Sequence, residues 1–248
     1  MMRSGCVFEV FSGIQGEGVH VGRRQVFVRF AGCNLACAYC DTPEAREPVP
    51  FARIEHPPGA RTFERVKNPI TAADLAGWIG RLDSRRRHHS VSLTGGEPLL
   101  AAEFIARLIP LCEGRRFHLE TNGSLPGELK KVIDRIHVVS VDLKLASAAG
   151  QAVEPAVSTE FLATAAQREV FVKVVVSDRT DPEEVVAAAR AVAAAGTSIP
   201  LVIQPVTPIS RRVRPPAPDQ LIELQTAALG VLDDVRVIPQ THRILGQK

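Results

Sequence analysis

Aromatic side chains are scarce in this chain: they make up 5% of it, with a single Trp and a single Tyr. Ala, Val, Leu and Ile must fill the interior instead, and an apolar fraction of 45% is ample for one sizeable core. No run approaches the roughly 20 apolar residues of a membrane-spanning helix, so no membrane partner is expected. Neither sign of charge dominates. The net charge of +3 is too small to argue for nucleic acid as a partner. The opening residues Met1-Met2-Arg3-Ser4-Gly5-Cys6 lead into a strand-like run and do not read as a signal peptide. Cysteines are few, and three of the five are crowded together. That usage fits free thiols in a reducing compartment, so a cytoplasmic location is expected. No repeat and no break in composition divides the 248 residues, which predicts a single domain over 1–248.

What is there is a rhythm of strand then helix. Short runs rich in Val, Ile, Leu or Phe predict strands at Val26–Ala31, Ser90–Thr94, Arg116–Glu120, His137–Asp142, Val170–Ser177 and Leu201–Gln204, with Val235–Ile238 as a possible seventh. Helices are predicted between them at Thr71–Arg81, Ala101–Leu111, Leu125–Asp134, Pro182–Ala195 and Pro218–Leu229. Thr71-Ala72-Ala73-Asp74 reads as a capping sequence; Asp181 before Pro182, and Gly196 after the last turn, bracket another helix. Such alternation implies a parallel sheet with helices outside, an α/β fold. Six strands are too few to close an eight-stranded barrel, so an open partial (β/α) barrel of about six parallel strands is expected. Two segments break the rhythm. The proline-rich stretch 43–68 reads as an irregular excursion, and Arg211-Arg212-Val213-Arg214-Pro215-Pro216-Ala217-Pro218 as a solvated basic loop. Arg85-Arg86-Arg87-His88-His89 is read the same way.

The crowded cysteines are Cys33, Cys37 and Cys40, spaced C-x3-C-x2-C with Tyr39 before the last. Thiolates this close converge on something soft, an iron–sulfur cluster or zinc. A closed structural site takes four protein ligands, whereas three leave a metal position open for a small molecule. Zinc would need a fourth ligand from His20, Cys6 or Cys112, although Cys6 and Cys112 read better as small buried hydrophobes. In parallel α/β sheets reactive groups gather at the carboxyl ends of strands. Cys33, Thr94-Gly95-Gly96-Glu97-Pro98, Glu120-Thr121-Asn122-Gly123, Ser140-Val141-Asp142-Leu143-Lys144 and Gln204-Pro205-Val206-Thr207 all fall there. The glycine pair allows close approach of a ligand, and Pro98 is set to open a helix.

The cysteine triplet resembles the signature of the radical S-adenosylmethionine (radical SAM) enzymes. That resemblance implies a [4Fe-4S] cluster on Cys33, Cys37 and Cys40, whose free iron chelates SAM and whose electron splits it to a 5′-deoxyadenosyl radical. It assigns SAM to Tyr39, Gly95, Gly96, Glu97, Glu120, Ser140, Asp142, Lys144, Gln204, Pro205, Val206 and Thr207, with Asn122 as another candidate. Asp142 and Lys144 could equally form a structural ion pair. The block from Glu9 to Gly18, with Phe27–Leu35 and Cys40-Asp41-Thr42, closely resembles the 7-carboxy-7-deazaguanine synthase family. The likeness resumes at Thr94–Pro98, Gln204–Val206 and Pro239–His242. It implies a ring-contracting lyase of queuosine and deazapurine biosynthesis, which turns 6-carboxy-5,6,7,8-tetrahydropterin into 7-carboxy-7-deazaguanine with loss of ammonia and requires Mg2+. Ile14, Gln15, Gly16, Glu17, Arg29, Thr94 and His242 match its pterin-binding positions, and Thr42 its magnesium ligand. Physically, Gln15 and Glu17 suit a guanine-like edge. Arg29 suits a carboxylate, for about 1.5–3 kcal/mol per charge-assisted hydrogen bond. The implied partners are an electron donor such as flavodoxin or ferredoxin and a second copy in a homodimer. Two other readings compete: an activase that places a glycyl radical on a partner enzyme, and a zinc module that contacts RNA through its arginine runs.

Overall fold

The computed structural model describes residues 4–208 and 213–247. Arg211 and Arg212 of the basic loop lie outside the described residues. The chain begins with β1 (Ser4–Gly5), β2 (Val7–Ile14) and β3 (Arg24–Phe30), then β4 (Phe51–Glu55), β5 (Phe63–Lys67) and β6 (Ile70–Thr71). Strand–helix units follow: α1 (Ala72–Leu82), β7 (Ser90–Gly95), α2 (Ala102–Leu108), β8 (Phe117–Thr121), α3 (Pro126–Leu129), β9 (Val138–Leu143), α4 (Ala146–Ala149), α5 (Pro155–Ala165) and β10 (Glu169–Val176). The chain closes with α6 (Pro182–Ala195), β11 (Leu201–Pro205), α7 (Pro218–Leu229), β12 (Val235–Val237) and α8 (Thr241–Ile244). Ten strands form one sheet in the order β12-β11-β10-β9-β8-β7-β3-β2-β4-β5. From β3 through β12 the neighbours are parallel. The seventh strand expected near residue 235 is therefore present. Among the described residues the end strands β12 and β5 do not pair with each other, so the barrel is open.

The parallel strands alternate sharply between their two faces. Val26, Val28 and Phe30 of β3, Val91 and Leu93 of β7, Phe117 and Leu119 of β8, and Val172, Val174 and Val176 of β10 share one core. Leu75 and Ile79 of α1, Phe104 and Ile105 of α2, and Val185 and Val192 of α6 belong to the same core. Each of those large side chains contributes about 1.5–3 kcal/mol on burial. The intervening residues, Gln25, Ser92, His118, Glu120, Ser140 and Lys173, take the opposite, inner face. At its foot Val138, Phe171 and Val202 pack together with Val19 and Ile238. The result is an apolar jacket around a polar interior with an apolar floor. The helix caps form as predicted: Thr71 Oγ1 accepts from Asp74 N at 3.1 Å, and Asp181 Oδ1 from Glu183 N at 2.8 Å.

Three segments differ from expectation. Stretch 43–68 is more ordered than an irregular excursion, because β4 pairs parallel with β2 and antiparallel with β5. Its prolines stand outside both strands, so they cost the ladder no N–H donor. Segment 125–134 is not one helix. Leu129, Val132, Ile133 and Ile136 are all buried at helical spacing, but Val132 leaves helical geometry (φ −128°), and only short turns remain on either side. Helix α5, not foreseen, buries Phe161, Leu162 and Ala165. Among the described residues, no helix is long and apolar enough to cross a membrane.

Candidate active site

The C-terminal ends of the parallel strands surround a cavity of about 460 Å³. Every site residue predicted from the sequence lines it except Glu97 and Pro205. The three thiols are free, and they reach it from the loop after β3. That loop is held by backbone bonds from Cys33 N to Arg46 O (2.9 Å), Cys40 N to Cys37 O (3.2 Å) and Ala38 N to Ala149 O (3.0 Å). Arg46, which the sequence reading passed over, donates to the Cys37 carbonyl at 2.5 Å. Burial raises the pKa of Cys33; the nearby Glu97 carboxyl and the other two thiols add to the effect. Three crowded free thiols facing one cavity are the donor set that an iron–sulfur cluster would take.

The glycine pair works differently from expectation. Gly95 takes a left-handed φ of +136°, and a Cβ there would land on the backbone of Phe30; one on Gly96 would land on the Gly32 carbonyl. The close approach is thus to the chain entering the cysteine loop. Gly96 N donates to Phe30 O (3.1 Å) and Glu97 N to Gly32 O (2.8 Å). The Glu97 side chain is turned away from the cavity. Its carboxyl accepts from Leu99 N (3.0 Å), Thr121 Oγ1 (2.8 Å) and Asn122 N (2.8 Å), binding the ends of β7 and β8 together. Burial nevertheless raises its pKa above the usual carboxyl range, against those three bonds.

Beside the cysteine loop, Ser140, Asp142 and Lys144 line the cavity at the end of β9. Lys144 Nζ pairs with Asp142 Oδ2 at 2.8 Å and stands 5.2 Å from the centre of the Tyr39 ring. Burial disfavours the Lys144 ammonium, but Asp142 more than compensates and its pKa lies well above the ordinary lysine value. The ion pair is real, yet it leaves acceptors to spare. Asp142 Oδ1, Gln204 Oε1 and the Tyr39 hydroxyl are buried and have no hydrogen-bond partner, and all three residues line the cavity. Unpartnered buried polar atoms are costly and mark where a polar ligand belongs.

The remaining wall is built by β2 and β3 and by the segment around α8. Arg29 alternates along β3 with the core residues Val28 and Phe30, so it faces the cavity. Glu9 Oε1 accepts from its Nε at 3.0 Å, and Arg53 takes the second Glu9 oxygen at 2.7 Å. Gln15 Nε2 donates to Gln25 Oε1 (3.1 Å) and Glu120 Oε1 (2.9 Å), and Glu120 also accepts from Ser92 at 2.5 Å and Thr94 at 3.3 Å. Burial raises the pKa of Glu120, with the Glu17 carboxylate adding to it against the bond from Ser92. Glu120, assigned to SAM from the sequence, is thus bonded to Gln15 and Thr94, which the sequence assigned to the pterin. For Glu17, burial is outweighed by Lys173 and its pKa falls. Asp41 behaves likewise, with Arg29 holding it ionised against burial. Thr42 donates to Asp41 Oδ1 at 3.1 Å. The pair offers the hard oxygens that Mg2+ prefers. Thr241 N bonds Gly16 O at 2.9 Å, and Gln240 Nε2 reaches Glu17 at 2.6 Å. Glu17, Asp41 and His242 come within 4.8 Å of one another. Of these, Asp41 and Gln240 stood inside matched motifs without a role of their own, and Lys173 was not singled out in the sequence. Lys173 had left a signal, a lone charge inside the apolar run 170–176.

An open parallel barrel with three thiols at its mouth is the architecture of the Radical SAM superfamily, and the sequence matches that family over residues 27–209. Two relatives narrow this. The 7-carboxy-7-deazaguanine synthase of Geobacter sulfurreducens is 40% identical, over 96% of each chain. That of Methanothermobacter thermautotrophicus is 37% identical, over 99% of this chain and 98% of its own. The chain belongs to the 7-carboxy-7-deazaguanine synthase family. Crystal structures agree on the fold. QueE from Escherichia coli superposes with a TM-score of 0.63 at 21% identity, over 96% of this chain and 95% of that one. Streptococcus suis SuiB bound to S-adenosylmethionine gives 0.55 at 14% identity, over 84% of this chain and 48% of that one.

Proposed function

We propose that the protein is a radical SAM lyase that converts 6-carboxy-5,6,7,8-tetrahydropterin into 7-carboxy-7-deazaguanine with loss of ammonia. The observation that carries this reading is the shared cavity, in which three free thiols face both a set of unpartnered acceptors and a guanine-like recognition wall. Cys33, Cys37 and Cys40 would hold a [4Fe-4S] cluster, and Asp142, Gln204 and Tyr39 would take the polar groups of SAM. When bound, cluster and SAM supply the electron and the carbon radical that removes hydrogen from the pterin. The chain contributes position and charge. Gln15, Glu17 and Glu120 would hold the pyrimidine edge of the pterin. Arg29, fixed by Glu9, would face its carboxylate, and Thr42, oriented by Asp41, would carry Mg2+ beside it. The reading extends to an electron donor of the flavodoxin or ferredoxin class, to a homodimer and to a cytoplasmic setting; five free thiols support the last.

The test is to incubate anaerobically reconstituted protein with SAM, a reductant, Mg2+ and carboxytetrahydropterin. A deazapurine of the product mass is expected. SAM cleavage with the pterin recovered unchanged would overturn the substrate assignment. Zinc in place of iron, in protein never exposed to air, would overturn the chemistry.

A further inference from the structure

Lys173 has no task in the reaction proposed above, although it sits in the same cavity. It interrupts the apolar strand β10, is 8% exposed, and faces Asp142 directly across the β9–β10 ladder. Its ammonium is 3.1 Å from Asp142 Oδ2 and also contacts Glu17 Oε2. Burial opposes its charge, but Asp142 and Glu17 together keep it protonated. A lone ammonium in a hydrophobic strand is expensive unless it is paired, and here two carboxylates pair with it. The two belong to different halves of the cavity. Asp142 stands with Lys144 and Tyr39 beside the cysteine loop, and its Oδ1 is the unpartnered acceptor facing the space assigned to SAM. Glu17 stands with Gln15 and Gln240 on the wall assigned to the pterin. Among the described residues, no other cation pairs with both.

We infer that Lys173 is a positioning residue shared by the two pockets, so that the charge state of Glu17 in the pterin pocket is felt by SAM at Asp142. The inference rests on the proposed function for which half takes which ligand. One ammonium divides its attraction between two carboxylates. Neutralising Glu17 leaves Lys173 wholly to Asp142, which draws that carboxylate aside and weakens it as an acceptor.

The test is a double-mutant cycle read by equilibrium binding of SAM to the reconstituted protein with no pterin present. Glu17→Gln should weaken SAM binding by about fivefold or more, a common size for coupling between sites. In a Lys173→Met background, the same Glu17→Gln change should alter SAM binding by less than about twofold, as for uncoupled positions. An unchanged SAM affinity in Glu17→Gln, or an equal change in both backgrounds, would overturn the inference. The Glu17→Gln/Lys173→Met double variant removes one charge of each sign, so its fold does not carry an unpaired ion. If Lys173→Met alone does not fold, Lys173→Gln serves as the background, and the same two outcomes decide. Wild-type protein that binds SAM but leaves carboxytetrahydropterin intact would defeat the proposed reaction while leaving the cycle readable.

Discussion

Gly16 lies so close against His242 that a Cβ on the glycine would fall onto the imidazole, while the Gly16 carbonyl accepts the Thr241 amide at 2.9 Å. One side of the cavity therefore exists only because residue 16 has no side chain. Gly16→Ala is expected to push His242 and Gln240 off the wall. Misplacement by an ångström can cost about a hundredfold in rate, so kcat/KM for the pterin should fall by about that much. SAM affinity should change much less, because Glu17 keeps its charge and its pairing with Lys173.

Glu97 is predicted to act through stability. Its carboxyl accepts three bonds and shows none of itself to the cavity. Glu97→Gln replaces one oxygen with a donor facing donors, at a cost of about 1–3 kcal/mol. Chemical denaturation should register that loss. SAM binding should weaken only as far as the Gly95–Gly96 turn loosens.

His118 should make the fold acid-sensitive. It is buried beside His20 and His89, and burial, with those neighbours adding to it, drives its pKa down to about 3. Its folded value lies below the unfolded one of about 6.5, so the unfolded chain binds the extra proton between them. Stability is complete above about pH 6.5 and falls by up to about 1.4 kcal/mol per pH unit on acidification towards 3. His118→Gln should flatten that part of a denaturation-versus-pH curve, and an unaltered slope would refute the assignment.

Cys37→Ala should abolish both iron retention and SAM cleavage, because two thiols cannot hold the cluster. Thr42→Ala should keep the iron but blunt the response of turnover to added Mg2+. Iron analysis beside a magnesium titration separates the two roles, and near-normal SAM cleavage in Cys37→Ala would contradict the first.

The sequence carried the parallel core because buried strands announce themselves as short β-branched runs between capped helices. It carried the convergence of the motifs on one cavity because they stood at strand ends, where this architecture concentrates its chemistry. What it hid has physical causes. The β4–β5 hairpin lay behind prolines that flank both strands. The real neighbours of Gly96 are backbone atoms supplied by Gly32, and no linear spacing reports them. Lys173 looked like a blemish in a hydrophobic strand because its partners, Glu17 and Asp142, are brought to it only by folding. Glu97, lettered as part of a ligand motif, braces two strands.

The hydrogen bonds from Thr241 and Gln240 to Gly16 and Glu17 join positions 223 to 225 apart in the chain. Contacts of such span are the slowest kind to form, so this panel of the chamber is expected to be fitted last, onto a sheet that has already folded between its two ends.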